Sequence, residues 1–383
     1  MRISTISAAA VAALVGYGST IALILAAAAA LGASPAQTSS WVLAICLVTA
    51  IGTAALSLWT RIPVILAWST PGAALIAATH GIAFAEGVGA FLFAALLIVL
   101  TGVIRPLGRL IGALPPSIAS GMLAGVLLPF CLEVPKDAAA LPGLVLPVVA
   151  IFALIRLINP AYAVLAALAV GVALTFGTGT PLPAVAMALP SLQGTLPVWS
   201  LSTLIGLGLP LYLVTMASQN LPGFAVLQGA GYEPPVRKAL TVTGALSGIG
   251  ALFGAHTLNM AAITAAICLG DDVHPDRAKR WTVGLSYAFW WAVLGLFGPV
   301  ILAGIHAVPP ALIATIAGLA LINPTIGALS AAFSEPRHRF AAATTLITAA
   351  SGVAAFGIGA AFWGLLAGLA VHLMESLRDR LKR

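Results

Sequence analysis

Ile62-Pro63-Val64-Ile65-Leu66-Ala67-Trp68-Ser69-Thr70-Pro71-Gly72 is apolar enough to lie inside a membrane, yet it does not read as one continuous helix. Its first part is β-branched and bounded by Pro63. Ser69 then offers an N-cap hydroxyl, and Pro71 suits a first helical turn. The stretch predicts a short extended segment followed by a helix that begins deep in the bilayer. Extended backbone at that depth leaves N–H groups unpaired unless protein or a ligand covers them.

The surrounding chain excludes a soluble fold. Of its 383 residues, 61% are hydrophobic and only 7% are Asp, Glu, Lys or Arg. Soluble domains carry roughly 45–50% apolar and about 25% charged residues. A disordered chain, a coiled coil and a cytosolic enzyme are excluded; the composition predicts an all-α integral membrane protein. Cutting at charges, Pro/Gly clusters and polar loops gives fourteen apolar stretches. The first seven are 6–31, 39–59, 63–79, 87–104, 116–132, 141–158 and 160–176. The second seven are 200–228, 238–253, 255–270, 281–304, 309–332, 340–355 and 357–375. The first is too long for a signal h-region and reads as a span.

The net charge of +7 sits in short clusters between apolar runs, which argues for cytoplasmic loops and against nucleic acid. With the N-terminus in the cytoplasm, only Lys136 of the 17 Lys and Arg falls outside. The inside set includes Arg105, Arg109, Lys382 and Arg383, and both termini are expected inside. Cys46, Cys131 and Cys268 are widely spaced and form neither a metal pattern nor a disulfide framework.

A second interrupted span matches the first. Ser69-Thr70-Pro71-Gly72-Ala73-Ala74-Leu75-Ile76 aligns with His256-Thr257-Leu258-Asn259-Met260-Ala261-Ala262-Ile263. There the extended part is expected over 250–255, then the polar residues, then helix. Span 3 falls against span 10, seven spans apart, so the repeats over 1–196 and 197–383 have opposite orientation. Inverted repeats are a signature of secondary transporters. Two half-helix N-termini then converge near the midplane, which favours an anion. The plainer reading is an ordinary kink at Pro71 and a tight turn over 254–259.

In span 8, Tyr212, Thr215, Met216 and Gln219 share one helical face and suit an amphiphilic ligand. Helix–helix packing is the alternative. Their counterpart in span 1 is Tyr17-Gly18-Ser19-Thr20, a less specific pattern. No Asp or Glu lies at the centre of a span, so a cation site or fixed-carboxylate relay is not expected. Glu86 stands at the start of span 4. His256 is the ionisable residue inside an interrupted segment, either functional or a neutral hydrogen-bonded side chain. HExxH, GxSxG and Walker A patterns are absent, and no catalytic residue, cofactor or metal is expected.

Residues 67–75, 211–223, Gly254-Ala255-His256-Thr257-Leu258-Asn259 and Ile322-Asn323-Pro324 resemble the BenE-type benzoate/proton symporters of bacterial inner membranes. The likeness extends to the length of the chain and its Met-Arg-Ile-Ser start. The layout also resembles the nucleobase/ascorbate and sulfate transporter architecture, with fourteen spans in two inverted sets of seven. That resemblance implies a core domain (about 1–112 and 197–305), a gate domain (about 113–196 and 306–383), and a homodimer. The nucleobase relatives carry carboxylates in spans 8 and 10, where this chain has Gln219 and Asn259. The difference suits an anion, which a buried carboxylate would repel.

The implied function is import of benzoate or a similar aromatic monocarboxylate with protons by alternating access. The alternatives are a nucleobase or inorganic-anion transporter of the same architecture and an uncoupled anion channel. The carboxylate is expected among Ser69, Thr70, His256, Thr257 and Asn259, with the ring against Tyr212, Met216 and Tyr17. Gly72, Thr215 and Gln219 complete the expected site. His256, the substrate's own carboxyl group or Glu86 could carry the proton. His256 is favoured because its imidazolium would pair with the carboxylate and cross as a neutral unit.

Overall fold

The computed structural model describes residues 2–104, 115–177, 190–261, 263–271 and 273–381. Arg105, Arg109, Lys382 and Arg383, four of the cations assigned to the inside, lie outside these residues. The first half runs α1 (Ile3–Gly18), α2 (Ile21–Ala30), α3 (Pro35–Thr60), β1 (Leu66–Trp68), α4 (Thr70–Ala77), α5 (Phe84–Val103), α6 (Pro116–Ala140), α7 (Pro142–Ile158) and α8 (Ala163–Gly177). The second half runs α9 (Leu201–Gly229), α10 (Val236–Ala251), β2 (Leu258–Met260), α11 (Ile263–Cys268), α12 (Thr282–Leu296), α13 (Gly298–His306), α14 (Pro310–Ala332), α15 (Arg339–Ala350) and α16 (Ala360–Leu381).

Among the described residues, seven helical stretches are long and apolar enough to cross a membrane, with α1 and α2 counted as one. There are eight if α12 and α13, bent by 56°, form a single span. The protein is therefore a mostly helical, multi-pass membrane protein.

Local chemistry sets several boundaries. Proline occupies the first turn of α3, α4, α6, α7 and α14, where its missing N–H has no helical partner to lose. Ser34 and Gln37 form a reciprocal capping box at the start of α3, with Ser34 N–H donating to Gln37 Oε1 at 2.8 Å.

Proline also shapes α9, which widens to π geometry over Leu204–Gly208 and Met216–Asn220. Each wide turn contains the carbonyl four residues before a proline, Gly206 before Pro210 and Ser218 before Pro222. Widening relieves the clash between ring and carbonyl. The regular 3.6-residue spacing that put Tyr212, Thr215, Met216 and Gln219 on one face is broken within that stretch.

The helices pack as two bundles. In one, α3 lies against α10 and α12, and α5 against α10. In the other, α6 packs against α14, α15 and α16, while α7 pairs with α8. A separate apolar cluster including Val148, Phe152, Ala167 and Leu312 joins α7, α8 and α14.

β1 and β2 cross inside the first bundle as an antiparallel pair. The extended segment in span 3 falls where the sequence predicts it, but the second does not. Helix α10 continues to Ala251, and β2 falls on Leu258–Met260. Ala67 therefore faces Asn259, and His256 precedes its strand while Ser69 follows its own. The alignment of Ser69 with His256 is out of structural register. In the turn before β2, Gly254 adopts φ 91°.

A Cβ at Gly254 would lie 2.7 Å from Phe84 Cζ, on backbone that L-residues disfavour. Gly254→Ala is expected to cost about 1–2 kcal/mol in backbone strain, plus the displacement of Phe84. A fall in the thermal-denaturation midpoint of the detergent-solubilised protein would register it, and an unchanged midpoint would refute it.

Candidate functional site

Three-residue strands satisfy few of their own backbone groups, and surrounding helices supply the rest. Leu66 N–H donates to Thr53 Oγ1 of α3 at 3.3 Å. Leu258 N–H donates to Ser247 Oγ of α10 at 2.8 Å, and Met260 N–H to Asn220 Oδ1 of α9 at 2.9 Å. Ser69 N–H reaches Thr257 O at 3.0 Å, and Ala261 N–H reaches Ile65 O at 2.9 Å.

A knot of polar side chains closes the crossing. Ser69 Oγ accepts from Gly72 N–H at 3.1 Å and from the Thr215 hydroxyl at 3.2 Å. The Thr215 and Thr257 hydroxyls are 2.8 Å apart. Trp41 Nε1–H donates to His256 Nδ1 at 3.2 Å. An indole nitrogen only donates, so this contact assigns the imidazole hydrogen to Nε2, which donates to Ser69 O at 3.0 Å. Asn259, with its amide oriented to suit its neighbours, donates to Met260 O at 2.9 Å and accepts from Ser69 N–H at 3.0 Å. Ser69, Thr215, His256, Thr257 and Asn259 are all fully buried.

Beside this knot is a cavity of about 110 Å³. Val15, Gly16, Ser19 and Thr20 line it from the first span, and Ala67, Trp68, Thr70 and Pro71 from β1 and α4. Gln219, Ala261, Thr264, Trp291 and Pro324 complete the wall. Trp68 and Trp291 meet edge to face with centroids 4.9 Å apart. Trp68 is oriented by its Nε1–H, which donates to Thr20 Oγ1 at 2.7 Å. A separate cleft of about 550 Å³ includes Leu75, Ala78, His80, Glu86, Glu133 and Ser200 in its lining. Helix α4 reaches both spaces, the cavity with its first residues and the cleft with its last.

A cavity at the meeting point of two half-helices has the form of a transporter substrate site. The BenE family model, described as benzoate membrane transport protein, matches residues 1–374. The chain belongs to the BenE family. The inner membrane protein YdcO of Escherichia coli (strain K12) is 38% identical over 375 residues, covering 97% of this chain and 96% of the relative. The benzoate membrane transport protein of Acinetobacter baylyi is 31% identical over 364 residues, covering 94% and 92%.

Among solved structures, the transmembrane domain of a cyanobacterium bicarbonate transporter, BicA, aligns with TM-score 0.62 and 15% identity over 96% of this chain and 98% of that one. SLC26A9 aligns with TM-score 0.64 and 14% identity over 99% of this chain and 66% of that one. At these identities the likeness establishes the fold.

Of the residues expected to form a site in this BenE chain, Thr70 and Gln219 line the cavity. Tyr17 backs its aromatic wall, with its ring centroid 5.4 Å from Trp68 and 6.1 Å from Trp291. Ser69, Gly72, Thr215, His256, Thr257 and Asn259 belong to the knot instead. Tyr212 OH is 2.5 Å from Thr101 Oγ1 on α5, and Met216 Sδ accepts from Asn220 Nδ2 at 3.3 Å. Neither Tyr212 nor Met216 lines the cavity. Glu86 lines the larger cleft.

Sequence reasoning did not select Trp68, Ser19, Thr20, Thr264 or Trp291 as site residues. Trp68 stood inside the decisive stretch, and Ser19-Thr20 inside the span 1 pattern. Trp291 and Thr264 sit in apolar helices and carry no comparable signal.

The knot makes a structural demand of His256. His256→Ala leaves the buried Trp41 N–H unpaired and is expected to cost about 1–3 kcal/mol. His256→Gln keeps a donor and an acceptor and should recover part of it. Thermal midpoints in detergent compare the two, and equal midpoints for His256→Ala and the parent would remove His256 from the knot.

Proposed function

We propose that this BenE protein is a secondary transporter that imports benzoate or a closely similar aromatic monocarboxylate together with protons. One observation carries the reading: the small cavity at the strand crossing is walled by the paired rings of Trp68 and Trp291. Edge-to-face and offset aromatic contacts suit a flat ring. The volume is well below the roughly 300–1,000 Å³ of pockets for drug-sized ligands, which favours a small molecule. The name of the Acinetobacter relative points to the same substrate.

The spanning arrangement belongs to the proposal. Fourteen crossings follow if the shorter helices and both strand–half-helix units each cross once, as two inverted sets of seven. The bundle holding the strand crossing then acts as the core (about 1–112 and 197–305). The bundle built on α6, α14, α15 and α16 acts as the gate (about 113–196 and 306–383). Pro324 of α14 brings the second bundle to the cavity wall, as alternating access at a domain seam requires. With the N-terminus in the cytoplasm, the larger cleft is an outer vestibule.

Uptake of labelled benzoate into proteoliposomes under an inward proton gradient is the test. Accumulation above the external concentration is expected. Uptake of uracil or sulfate in its place, or benzoate flux without accumulation, would overturn the reading.

Two variants sharpen it. Trp291→Ala should weaken apparent benzoate affinity about tenfold, since an aromatic pair is worth about 0.5–1.5 kcal/mol beyond the burial of its area. A Cβ at Gly16 would already lie 3.2 Å from Thr264 Cγ2 and 3.7 Å from Trp291 Cζ2. Gly16→Val is therefore expected to fill the cavity and abolish protein-dependent uptake, which also provides the blank for passive permeation.

A further inference from the structure

We propose that the cavity binds the uncharged carboxylic acid, so that the co-transported proton travels on the substrate's own carboxyl group. This deepens the aromatic-acid reading above and rests on it.

The first observation is the lining itself, which among the described residues holds no Asp, Glu, His, Lys or Arg. A buried carboxylate without a cationic partner depends on several N–H donors to offset its desolvation. The start of α4 supplies few. Of the groups there, Ser69 N–H is taken by Thr257 O, Pro71 has no N–H, and Gly72 N–H is taken by Ser69 Oγ. Thr70 N–H remains. Six-residue α11 adds too short a helix to compensate.

The second observation concerns the hydroxyls. Ser19 Oγ–H is committed to Val15 O at 2.5 Å, and Thr20 Oγ1–H to Gly16 O at 2.7 Å. Both oxygens can therefore meet a ligand only as acceptors, and Thr20 already accepts from Trp68. A carboxylate is acceptor-only and finds no hydrogen there. A carboxylic acid donates once and accepts through its carbonyl. The wall presents acceptors at Ser19 and Thr20, which take the acid O–H, alongside donors for its carbonyl at Thr70 and Gln219. Two further donors are the Thr264 hydroxyl, which accepts from Tyr287 and keeps its own hydrogen, and the unpartnered Nε1–H of Trp291.

The surrounding ionisable groups do not supply a substitute carrier. Behind α4, the neutral imidazole of His256 is held by Trp41 and Ser69. Behind Trp291 stand the phenols of Tyr17 and Tyr287, with the buried thiols of Cys46 and Cys268 in the same bundle. Behind α9, Tyr212 is held by Thr101. Glu86, Glu133 and His80 face the other cleft. The proton balance is simple: the carboxylate takes one proton on the side of higher proton activity, the acid O–H crosses intact, and the proton leaves on the other side.

Calorimetric titration of the purified full-length protein with benzoate between pH 5 and 8, in buffers of different ionisation enthalpy, tests the proposal. Carboxyl groups titrate near about 4, so apparent affinity should fall about tenfold per pH unit with one proton taken up per benzoate bound. Benzamide, neutral throughout and carrying an N–H where the acid has O–H, should bind with a pH-independent affinity. Benzenesulfonate, anionic throughout, should not compete. His256→Gln should keep the tenfold dependence, whereas a flat profile in that variant would return the proton to the imidazole and overturn the proposal.

A flat profile in the parent, or competition by benzenesulfonate with benzamide inert, would overturn the neutral-acid inference and leave the aromatic-acid reading standing. No benzoate binding at any pH would overturn both.

Discussion

Backbone polarity inside a membrane is the constraint on which this structure depends. An extended segment at bilayer depth has no water to pair with its N–H groups, and each unpaired group costs several kcal/mol. The chain crosses two such segments and meets their demand with side chains from helices on every side. Thr53, Ser247 and Asn220 each accept from a strand N–H. Ser69, Thr215, Thr257 and His256 then tie the strands to the start of α4 and to Trp41. Remove this side-chain supply and the crossing is untenable.

That supply explains the character of the cavity next to it. Many polar groups at this depth are consumed by the fold, so the cavity inherits neutral hydroxyls, two of them with committed hydrogens at Ser19 and Thr20, one amide side chain and an aromatic wall. On the proposed reading, specificity would come from shape, ring contact and a short set of directed hydrogen bonds. On the neutral-acid proposal, such a cavity would select by protonation state, because an acceptor facing an acceptor repels and an acceptor facing an O–H binds.

The same physics decides what the sequence made legible. The break at Ser69-Thr70-Pro71 was readable because N-cap and proline chemistry are local, and the structure places β1 and α4 there. The second break was readable in kind but not in register. Its position depends on the left-handed turn at Gly254 and on pairing with Ala67, and Ala-rich sequence aligns too easily to fix either. The α9 face was misjudged because π turns before Pro210 and Pro222 break the helical count. His256 and Asn259 stood out as polar groups at depth, and the structure gives both of them partners within the fold. A side chain that satisfies backbone and one that awaits a ligand look alike in sequence, and only their partners separate them. Trp291 was invisible for the opposite reason, since an indole in an apolar helix is unremarkable until a cavity opens beside it.

The knot also limits how the protein can move. Strands joined to each other and to α3, α9 and α10 by buried hydrogen bonds would expose several unpaired groups if they separated, so the crossing and its half-helices are expected to travel as one body. Among the described residues, twelve of the cavity's lining residues come from the bundle that contains the crossing, and Pro324 alone comes from α14. Pro324 lacks an N–H and contributes no hydrogen bond of its own that motion would break. If the second bundle slid past that contact, the cavity wall would change while the strand N–H groups held by Thr53, Ser247 and Asn220 kept their partners. A crossing tied by buried hydrogen bonds, met at its cavity by one contact from the second bundle, is thus the arrangement that the proposed alternating access would need to change access without dismantling the site.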